Sequence, residues 1–452
     1  MKKTLMEAYA KRLNFAESLY KEERGCAMPQ AKKSIIAQIL NNTNKVLTEA
    51  FASTAATQTA NVGGVNAPTD QMKKFCLDVS NIALPNLIAM DLVLTKPMTS
   101  EYGTVRYLKF VAGVAKGGVT AGQEFNTAFK LGTMNADRVN YTGSDIVETV
   151  TGSETNISAL AFGDKLIAGS LYANNGASGA WQAIIVGADG AITLTGATKV
   201  KYQYDNVVIP QGTIPTIKAE FDTINLVAKA RRIAIYYSTL AQYTYKVESG
   251  EDLGAKLKEQ AMSEIQYEID NEVTALLRDL AFGATATNPT VTFYKKKPVG
   301  ISLREHYMSI LATFTAAGTN IYKATQKYRA NFLVVSPEFI EILTLCDGFK
   351  ANEVKPGPYF LGTIAGLKVF VSPQLENEAY VGFNSNDLAA SPAVFAPFMV
   401  CTPTMLLEMP DNAAMQGFAT LYDLKPLNTA LVAGIVLNTT DVDPIYIESA
   451  QD

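Results

Sequence analysis

The feature of this sequence that most restricts its fold is one long amphipathic segment, residues 250–282. Apolar side chains recur there every three or four residues, as they do on one face of an α-helix. That face is formed by Leu253, Leu257, Ala261, Ile265, Ile269, Val273, Leu276 and Leu280. Ser249, with Asp252 three residues on, predicts the N-terminal cap, and Gly283 predicts the C-terminal end. Such a rod is roughly 50 Å long, nearly three times the length of a common helix of about 11–12 residues.

The other faces of this helix are charged, which predicts a rod that lies across another part of the protein rather than inside a core. The charged positions are Lys256, Lys258, Glu259, Glu264, Glu268, Asp270, Glu272 and Arg278. Glu264, Glu268 and Glu272 share a face at i, i+4 spacing. They would serve a metal or acid–base chemistry only with a facing partner, and a solvated face is the simpler interpretation. The alternative for the whole rod is the long surface helix of an α+β enzyme.

The first 49 residues, called the leader here, differ in charge from the rest of the chain. They hold nine Lys or Arg and five Glu, a net charge of +4, so the remaining 403 residues carry −8 within the overall −4. Two amphipathic helices are predicted, over 4–24 and 30–50, separated near Gly25 and Pro29. The Ala-, Thr-, Asn- and Gly-rich residues 51–70 have no apolar period and predict a flexible linker or an extended arm.

A long stretch in the middle of the chain has a different texture. After a predicted strand at 104–114, residues 113–215 are rich in Gly, Thr, Ala and Asn, with recurring turn pairs such as Asn175-Gly176. This composition predicts an inserted β-rich module, with Trp181, the only tryptophan, as an anchor of its core. After residue 290 the pattern is mixed: an interrupted helix over 302–330, a buried strand over 331–335, a helix opening at Pro337, and strands at 367–372, 379–383 and 393–399.

Residues that carry chemistry are scarce. His306 is the only histidine, which excludes His-rich metal sites, and it is predicted to be solvated or structural. No phosphate-binding loop, dinucleotide fingerprint or nucleophile elbow occurs. Lys295-Lys296-Lys297 could touch nucleic acid, but a solvated turn is the simpler interpretation. We therefore expect no catalytic, cofactor-binding or metal residues and no cofactor.

Composition limits where the chain works. Its 452 residues, 48% hydrophobic and 18% charged, suffice for two to four globular domains. The four cysteines, at 26, 76, 346 and 401, have no metal-site spacing and are expected to be free thiols in a reducing compartment. Neither a membrane span nor a secretion signal is predicted.

Four short motifs, in order along the chain, resemble segments of the major capsid proteins of tailed bacteriophages, most closely the T-even type. They are Ala83-Leu84-Pro85-Asn86-Leu87-Ile88-Ala89-Met90-Asp91 with Lys96-Pro97-Met98-Thr99; Val227-Ala228-Lys229-Ala230-Arg231-Arg232 with Glu268-Ile269-Asp270-Asn271-Glu272-Val273; Asn331-Phe332-Leu333-Val334-Val335-Ser336-Pro337; and Ala393-Val394-Phe395-Ala396-Pro397-Phe398. Each motif alone is weak, but their shared order and spacing make the resemblance specific over residues 83–398.

The resemblance implies an α+β chain with the Hong Kong 97-like phage capsid fold and an inserted β-rich module. The implied divisions are 1–82, N-terminal leader and arm; 83–112, start of the peripheral domain and extended loop; 113–215, inserted module within that loop; 216–317, peripheral domain with the spine helix 250–282; 318–425, axial domain; 426–452, return to the peripheral domain and C-terminal tail.

The function implied by the resemblance is structural: self-assembly into an icosahedral or prolate head that encloses double-stranded DNA without binding it specifically. Expected partners are further copies in hexamers, a scaffold and a portal; pentamers of the same chain, a maturation protease and decoration proteins stay open. Assembly would occur in the host cytoplasm and the product would be the virion capsid, with no membrane involved.

Other classes of protein remain as alternatives. A vertex (pentamer) capsid protein or a cellular nanocompartment shell protein would share the fold. A carbohydrate-active hydrolase would need two facing carboxylates across a cleft, and a surface adhesin would need a signal peptide. A monomer or small oligomer would favour an enzyme, whereas hexamers, sheets or shells would favour a capsid protein.

The resemblance also implies a processing site, because T-even-like capsid proteins lose an N-terminal segment to a protease that cuts after Glu in an L/I-x-E context. Leu47-Thr48-Glu49 precedes Ala50 and the expected flexible run, and Leu5-Met6-Glu7 before Ala8 has the same context. A cut between Glu49 and Ala50 would remove the basic leader. In this hypothesis the leader binds an acidic scaffold during assembly, and its loss leaves an acidic shell.

Overall fold

The structure is a computed structural model, and it describes most of the chain. The described residues are 2–58, 77, 84–114, 121–122, 145–175, 181–194, 196–205, 215–325, 327–349, 351–352, 357–385, 387–403, 407–408 and 412–441. They fall into two compact units, one made of the segments up to residue 105 and from residue 223 onward, the other of Arg106–Asp222.

Three helices form the N-terminal part: α1 (Lys2–Ala8), α2 (Ala10–Arg24) and α3 (Gln30–Gln58). Gly25 ends α2 with a left-handed backbone, φ 69°, and its N–H donates to the Lys21 carbonyl, so the predicted break is confirmed. The expected flexible run is wrong for residues 51–58, which continue α3. Alanine, the best helix former, is frequent there, and no Gly or Pro interrupts the segment. The rest of that run, residues 59–70, lies outside the described residues.

The remaining helices and strands occur largely in separate runs along the chain, which confirms the α+β class. In order they are α4 (Ala89–Leu92), β1 (Leu94–Thr95), β2 (Tyr102–Ala112), β3 (Asp145–Thr149), β4 (Tyr172–Asn175), β5 (Trp181–Ala183), β6 (Ala197–Gln203), β7 (Ile217–Val227), β8 (Lys229–Ser238), α5 (Thr239–Ser249), α6 (Leu253–Phe282), β9 (Val291–Tyr294), α7 (Leu303–Met308), α8 (Ile310–Thr325), β10 (Phe332–Val335), α9 (Pro337–Thr344), β11 (Tyr359–Ile364), β12 (Leu367–Val371), β13 (Glu378–Gly382), β14 (Ala393–Pro403), β15 (Leu407–Glu408), β16 (Ala413–Pro426) and β17 (Val432–Asn438).

The long helix predicted over 250–282 is α6, but its N-terminal cap differs from the prediction. Asp252 is the cap, and its carboxylate accepts the Gly254 N–H at 3.0 Å. Ser249 instead ends the separate helix α5, where its hydroxyl donates to the Tyr245 carbonyl at 2.6 Å. The cap prediction for Ser249 is wrong because the chain turns at Gly250, which is left-handed. Gly283 ends α6 as predicted, although with an extended backbone.

Helix α6 is buried on a wider face than the sequence predicted. The expected row is confirmed by the burial of Ala261, Ile265, Ile269, Val273 and Leu280. A second row is also buried, at Met262, Asp270, Thr274, Leu277 and Ala281. The helix therefore lies within the main core of its unit rather than across a surface, and it packs against β8, β16, β17 and α4.

Two sheets flank this core. The six-stranded sheet has the order β11-β12-β10-β13-β17-β9, and the five-stranded sheet has the order β1-β14-β16-β15 with β8 paired to β16. Helix α6 approaches β17 closely at Gly434, where an added Cβ would lie 2.5 Å from the Phe282 ring. Helices α8 and α9 contribute to a second core with the strands of the six-stranded sheet. This sheet also includes β9 and β17, which lie outside the expected axial domain, residues 318–425.

The unit Arg106–Asp222 has a core of its own. Its four-stranded antiparallel sheet has the order β3-β6-β4-β5, and Tyr202 is fully buried there with Leu171 and Val200 beside it. The Tyr202 hydroxyl donates to Glu148 at 2.5 Å. Trp181, expected to anchor this core, is instead only half-buried on β5, because that strand lies at the edge of the sheet.

We expect Ile269→Asp to destabilise the chain by several kcal/mol, because Ile269 is 1% exposed in the main core and a carboxylate there would have no partner. Urea unfolding of the soluble fraction, together with its yield, measures this effect. Glu264→Gln, at an exposed position of the same helix, is the matched control and should unfold like the parent. Normal solubility and stability of Ile269→Asp would show that the assigned buried face is wrong.

Candidate functional site

The single histidine is part of the core rather than of a reactive site. His306 is 7% exposed, its ring stacks on Phe293 with centroids 5.4 Å apart, and its Nε2 lies 2.7 Å from the Tyr294 carbonyl oxygen. The structural role predicted for His306 is confirmed, and the solvated alternative is wrong. The ring fills the space between α7 and β9.

Of the three carboxylates in a row on the long helix, Glu264, Glu268 and Glu272, the last faces another charged group. This group is the cation Arg231 and not a second carboxylate. Glu272 binds Arg231 of β8 through both guanidinium contacts, at 2.9 and 2.5 Å. It also accepts the Tyr422 hydroxyl at 3.0 Å, while the Arg231 guanidinium lies 3.7 Å above the Tyr422 ring. Burial, and then the Glu272 charge, raise the pKa of Tyr422 well above its usual range. This network ties α6 to the five-stranded sheet and offers no free acid or base.

The remaining candidates from the sequence also lie in structural contacts. Lys295 pairs with Glu341 at 2.7 Å, which raises the lysine pKa, and Lys297 reaches the Ile301 carbonyl at 3.3 Å. Cys26 and Cys346 are free thiols, as predicted, and the side chains of Cys76 and Cys401 lie outside the described residues. Within the described ranges, no three His, Cys, Asp or Glu side chains are grouped to hold a metal ion. No described helix is both long and apolar enough to cross a membrane.

The most concentrated buried charge lies where the leader meets the body, at Asp91 of α4. Its carboxylate contacts Lys32 at 2.5 Å, Arg24 at 3.4 Å and Lys368 at 3.5 Å. The Asp91 side chain is 3% exposed and that of Arg24 is 6% exposed. Burial raises the pKa of Asp91, but the three cations outweigh it and hold that pKa below its ordinary value. We call these four residues the Asp91 cluster.

Aromatic rings surround the two leader cations of the Asp91 cluster. The Arg24 guanidinium lies 4.9 Å from the Phe360 ring centroid and 5.5 Å from that of Phe370, both in the six-stranded sheet. The Lys32 ammonium lies 4.9 Å from the ring of Tyr20 on α2. Such cation–π contacts are strongest where water is excluded. The leader is thus held by charge and by ring stacking in one place.

A second buried carboxyl, Asp270 of α6, holds the other end of α4. It accepts the Ala89 N–H at 3.0 Å and is buried in the main core. Burial raises its pKa to about 7, although the N–H groups of Ala89 and Ile88 and the charge of Arg24 oppose the rise. Sequence reasoning placed Asp270 outside the buried apolar face of the helix, which is wrong, because α4 covers that side of the helix.

The joint between leader and body is incompletely filled. A partly open cavity of about 980 Å³ lies between α2, α6, the segment around residues 86–88, Asn352 and residues 357–360. Its walls include Arg24, Asp270, Glu264 and Tyr359. Two buried donors there, the Arg24 Nε–H and the Tyr359 hydroxyl, have no hydrogen-bond partner in the described structure. The packing of the leader is therefore looser on this side than at the Asp91 cluster.

The expected processing site lies within a helix. Glu49 and Ala50 belong to α3, as does Thr48, whose hydroxyl donates to the Asn44 carbonyl at 2.7 Å. The expectation of an unstructured segment at this site is wrong. The leader before it contributes fully buried side chains, among them Ala16, Ile36 and Leu40, to the main core.

One exposed apolar surface stands out near the long helix. Helix α5 has no buried residue, and its outward stripe consists of Leu240, Tyr243 and Val247, which are 67–72% exposed. An isolated helix shorter than about 12–15 residues is only marginally stable in water, and α5 has 11. Strand β7, paired with β2, similarly exposes Ile217 and Phe221. Apolar groups exposed in this way mark contact surfaces.

Comparison with known proteins gives a consistent assignment. Residues 69–443 match the family model described as Major capsid protein Gp23. A curated relative, the major capsid protein of Enterobacteria phage T6, is 22% identical over 393 residues, covering 76% of this chain and 75% of the relative.

The solved structures agree less closely. A chain of Microbacterium phage Oxtober96 is 11% identical with a TM-score of 0.38, covering 78% of this chain and 91% of that chain. The SrpI encapsulin of Synechococcus elongatus PCC 7942 is 12% identical with a TM-score of 0.31, covering 50% and 80%. Overlaps this loose do not separate a phage shell from a nanocompartment, whereas the family match does.

We expect Asp270→Asn to change how stability depends on pH. Because the pKa of Asp270 rises from 3.8 to about 7 on folding, the contribution of this group to stability falls as pH increases between these values and is constant above them. The amide of the variant cannot ionise, so at pH 8 the variant should be more stable than the parent, by on the order of 4 kcal/mol at most. Near pH 4 the two should be alike.

Urea unfolding at pH 4, 6 and 8 measures this difference. Asp279→Asn, at a mostly exposed position of the same helix, is the control and should follow the parent at every pH. A constant difference between Asp270→Asn and the parent across this range would contradict the assignment of a protonated Asp270.

Proposed function

The chain belongs to the Gp23 family of major capsid proteins, and we propose that its copies form the hexamers of a phage head partly through the exposed apolar stripe of α5. As a member of this family it is a structural protein of the capsid shell, it assembles as a homo-oligomer, and it is part of the virion. We further propose that it has no catalytic activity of its own and that assembly takes place in the host cytoplasm.

The stripe of α5 supports a contact between copies. Leu240, Tyr243 and Val247 point away from the half-buried side of the helix, which carries Gln242 and Tyr245. A helix of this length gains most of its stability from packing, and the described residues of its own unit cover only one side of α5. Because a shell repeats the same chain, the surface available to cover the stripe is a second copy.

The same proposal assigns parts of the chain to the domains of a capsid subunit. We assign α6 as the spine of the peripheral domain, residues 318–425 as the axial domain, and residues 113–215 as a module inserted into the extended loop. The separate core of Arg106–Asp222 supports the inserted module. The six-stranded sheet, which includes β9 and β17, indicates that the axial and peripheral parts share strands.

The leader is the proposed site of processing, with the cut between Glu49 and Ala50. Because both residues lie in α3, a protease would first have to unwind a turn of this helix. Removing the leader would also withdraw buried side chains from the main core. We therefore propose that cleavage follows assembly, when contacts with other copies stabilise the shell.

Partners beyond the shell remain proposals of the same kind. A scaffold and a portal are expected during assembly, a protease acts in the cleavage proposed above, and decoration proteins and pentamers of this chain are open. A scaffold that binds the leader by charge would not meet all nine cations, because Arg24 and Lys32 are paired with Asp91, and Lys33 with Glu17 at 2.8 Å. The packaged DNA is enclosed without a specific site.

We expect Tyr243→Asp to block assembly without unfolding the chain, because a charge in the middle of the stripe would have to be buried in the contact between copies. Light scattering and negative-stain images of the purified protein measure assembly, and urea unfolding measures stability. Ala241→Asp adds the same charge to another exposed face of α5 and should assemble like the parent. Shells formed by Tyr243→Asp as readily as by the parent would exclude this stripe as a contact.

The processing proposal is tested by the intact mass of the chain from infectious virions. A chain that begins at Ala50 supports the cut, and a chain that begins at Met1 contradicts it. Glu49→Gln should abolish the cut and leave the leader attached. Glu7→Gln, in the same sequence context near the other end of the leader, is the matched control and should leave a cut after Glu49 unchanged.

A further inference from the structure

Helix α4 is bonded to three separate parts of its unit. Its Asp91 side chain faces Lys32 and Arg24 of the leader, while its first N–H, that of Ala89, donates to Asp270 of the long helix. The carbonyl of Asp91 accepts the Asn384 side chain at 2.9 Å, which adds a tie to the segment after β13. A change in how the leader is held is therefore transmitted to the main helix through one four-residue element.

The charges around Asp91 are unequally divided between leader and body. The leader supplies Lys32 at 2.5 Å and the deeply buried Arg24 at 3.4 Å, whereas among the described residues the body supplies only Lys368, which is 3.5 Å away and half-exposed. With the leader in place, three cations lie within 3.5 Å of the Asp91 carboxylate, although its Oδ2 has no hydrogen-bond partner in the described structure. With the leader displaced, Asp91 would keep only the half-exposed Lys368 among the described cations, and a carboxylate that stays buried without its partners is strongly unfavourable.

The Asp91 cluster adds a polar tie to a leader that is also packed into the main core through side chains such as Ile36 and Leu40. The cavity lies beside the C-terminal end of α2, and this end of the helix is less closely packed than the buried side chains before it. Arg24 contacts Asp91 at 3.4 Å but leaves its Nε–H without a partner among the described residues. Lys32 makes the shortest contact in the Asp91 cluster, at 2.5 Å.

We propose that the Asp91 cluster is a charge latch that couples attachment of the leader to the seating of α4 on the long helix. When Lys32 and Arg24 leave Asp91, burial of the Asp91 carboxylate in α4 becomes unfavourable. The hydrogen bond from the Ala89 N–H of α4 to Asp270 then weakens as well. The latch regulates the shell protein whose function is proposed above, but it does not require the leader to be cut. A cut after Glu49 alone would leave both cations on Asp91, so the leader would remain bound until the latch opens.

Hydrogen exchange of the full-length, unassembled chain tests the latch. Lys32→Met removes the charge and keeps the length of the side chain, and Lys32→Arg is its matched control because it keeps the charge. We expect Lys32→Met to speed exchange in α2, α3 and α4 by at least about tenfold, and Lys32→Arg by less than about threefold. Helix α8, in the other core, should not change in either variant.

Two further variants separate the two sides of Asp91. Asp91→Asn should behave like Lys32→Met, whereas Lys368→Met, on the body side, should leave the leader near the parent. The latch is overturned if leader exchange in Lys32→Met stays within about threefold of the parent, or if α8 accelerates by the same factor as the leader, which would indicate general destabilisation. If Asp91→Asn does not fold, the two Lys32 variants alone decide.

The readout is independent of the assembly surface. Exchange is measured before any shell forms, so a failure of the α5 stripe to mediate assembly would leave these results unchanged. Conversely, normal shells from a chain with an unlatched leader would leave the role of α5 untested, and the latch would still be judged by exchange alone.

Discussion

The structure depends above all on the burial of helix α6. A helix of 30 residues cannot bury an apolar face against itself, so the elements around it must supply the cover. Strands β8 and β16 of one sheet, β17 of the other, and α4 all pack on it. Because these elements come from distant parts of the sequence, the helix determines which segments of the unit come together, and the two sheets share it as a common support.

The second consequence is electrostatic. The side of α6 that faces α4 carries Asp270, and the side that faces β8 carries Glu272, so the helix brings carboxyl groups into covered positions. The two carboxyl groups are stabilised in different ways. Glu272 is only half-buried and pairs with Arg231, whereas Asp270 is deeply buried, its pKa is raised to about 7, and backbone N–H groups bind it. Covered acids of this kind are costly unless bonded, and their bonds then define how neighbouring elements sit.

Local pattern was sufficient to predict the main helix, the leader helices, the strand over 331–335 and the helix opening at Pro337, because each depends on spacing within one short segment. Pairing over long distances was not predictable in this way. Arg24 and Asp91 are 67 positions apart, and nothing in the leader distinguishes the buried cations from the solvated ones. The one available signal was Asp91 itself, a charge within the apolar run from Ala83, where burial requires a partner. The cap at Ser249 failed for a related reason, since a whole extra helix occupies the residues before α6.

The leader shows why net charge is an incomplete guide to its role. Its charge of +4 suggests a basic arm free to bind an acidic partner, but Lys32, Arg24 and Lys33 are already bound within the chain. The cations that remain for a scaffold are fewer than the composition implies, and a partner that drew Lys32 away would also unseat α4. A long-range attraction between leader and scaffold therefore competes with the fold of the subunit itself. Because the same few charges serve both contacts, binding of the leader by another molecule and the seating of α4 on the main helix become alternatives. In a shell protein, a partner that binds the leader therefore also changes how α4 is held.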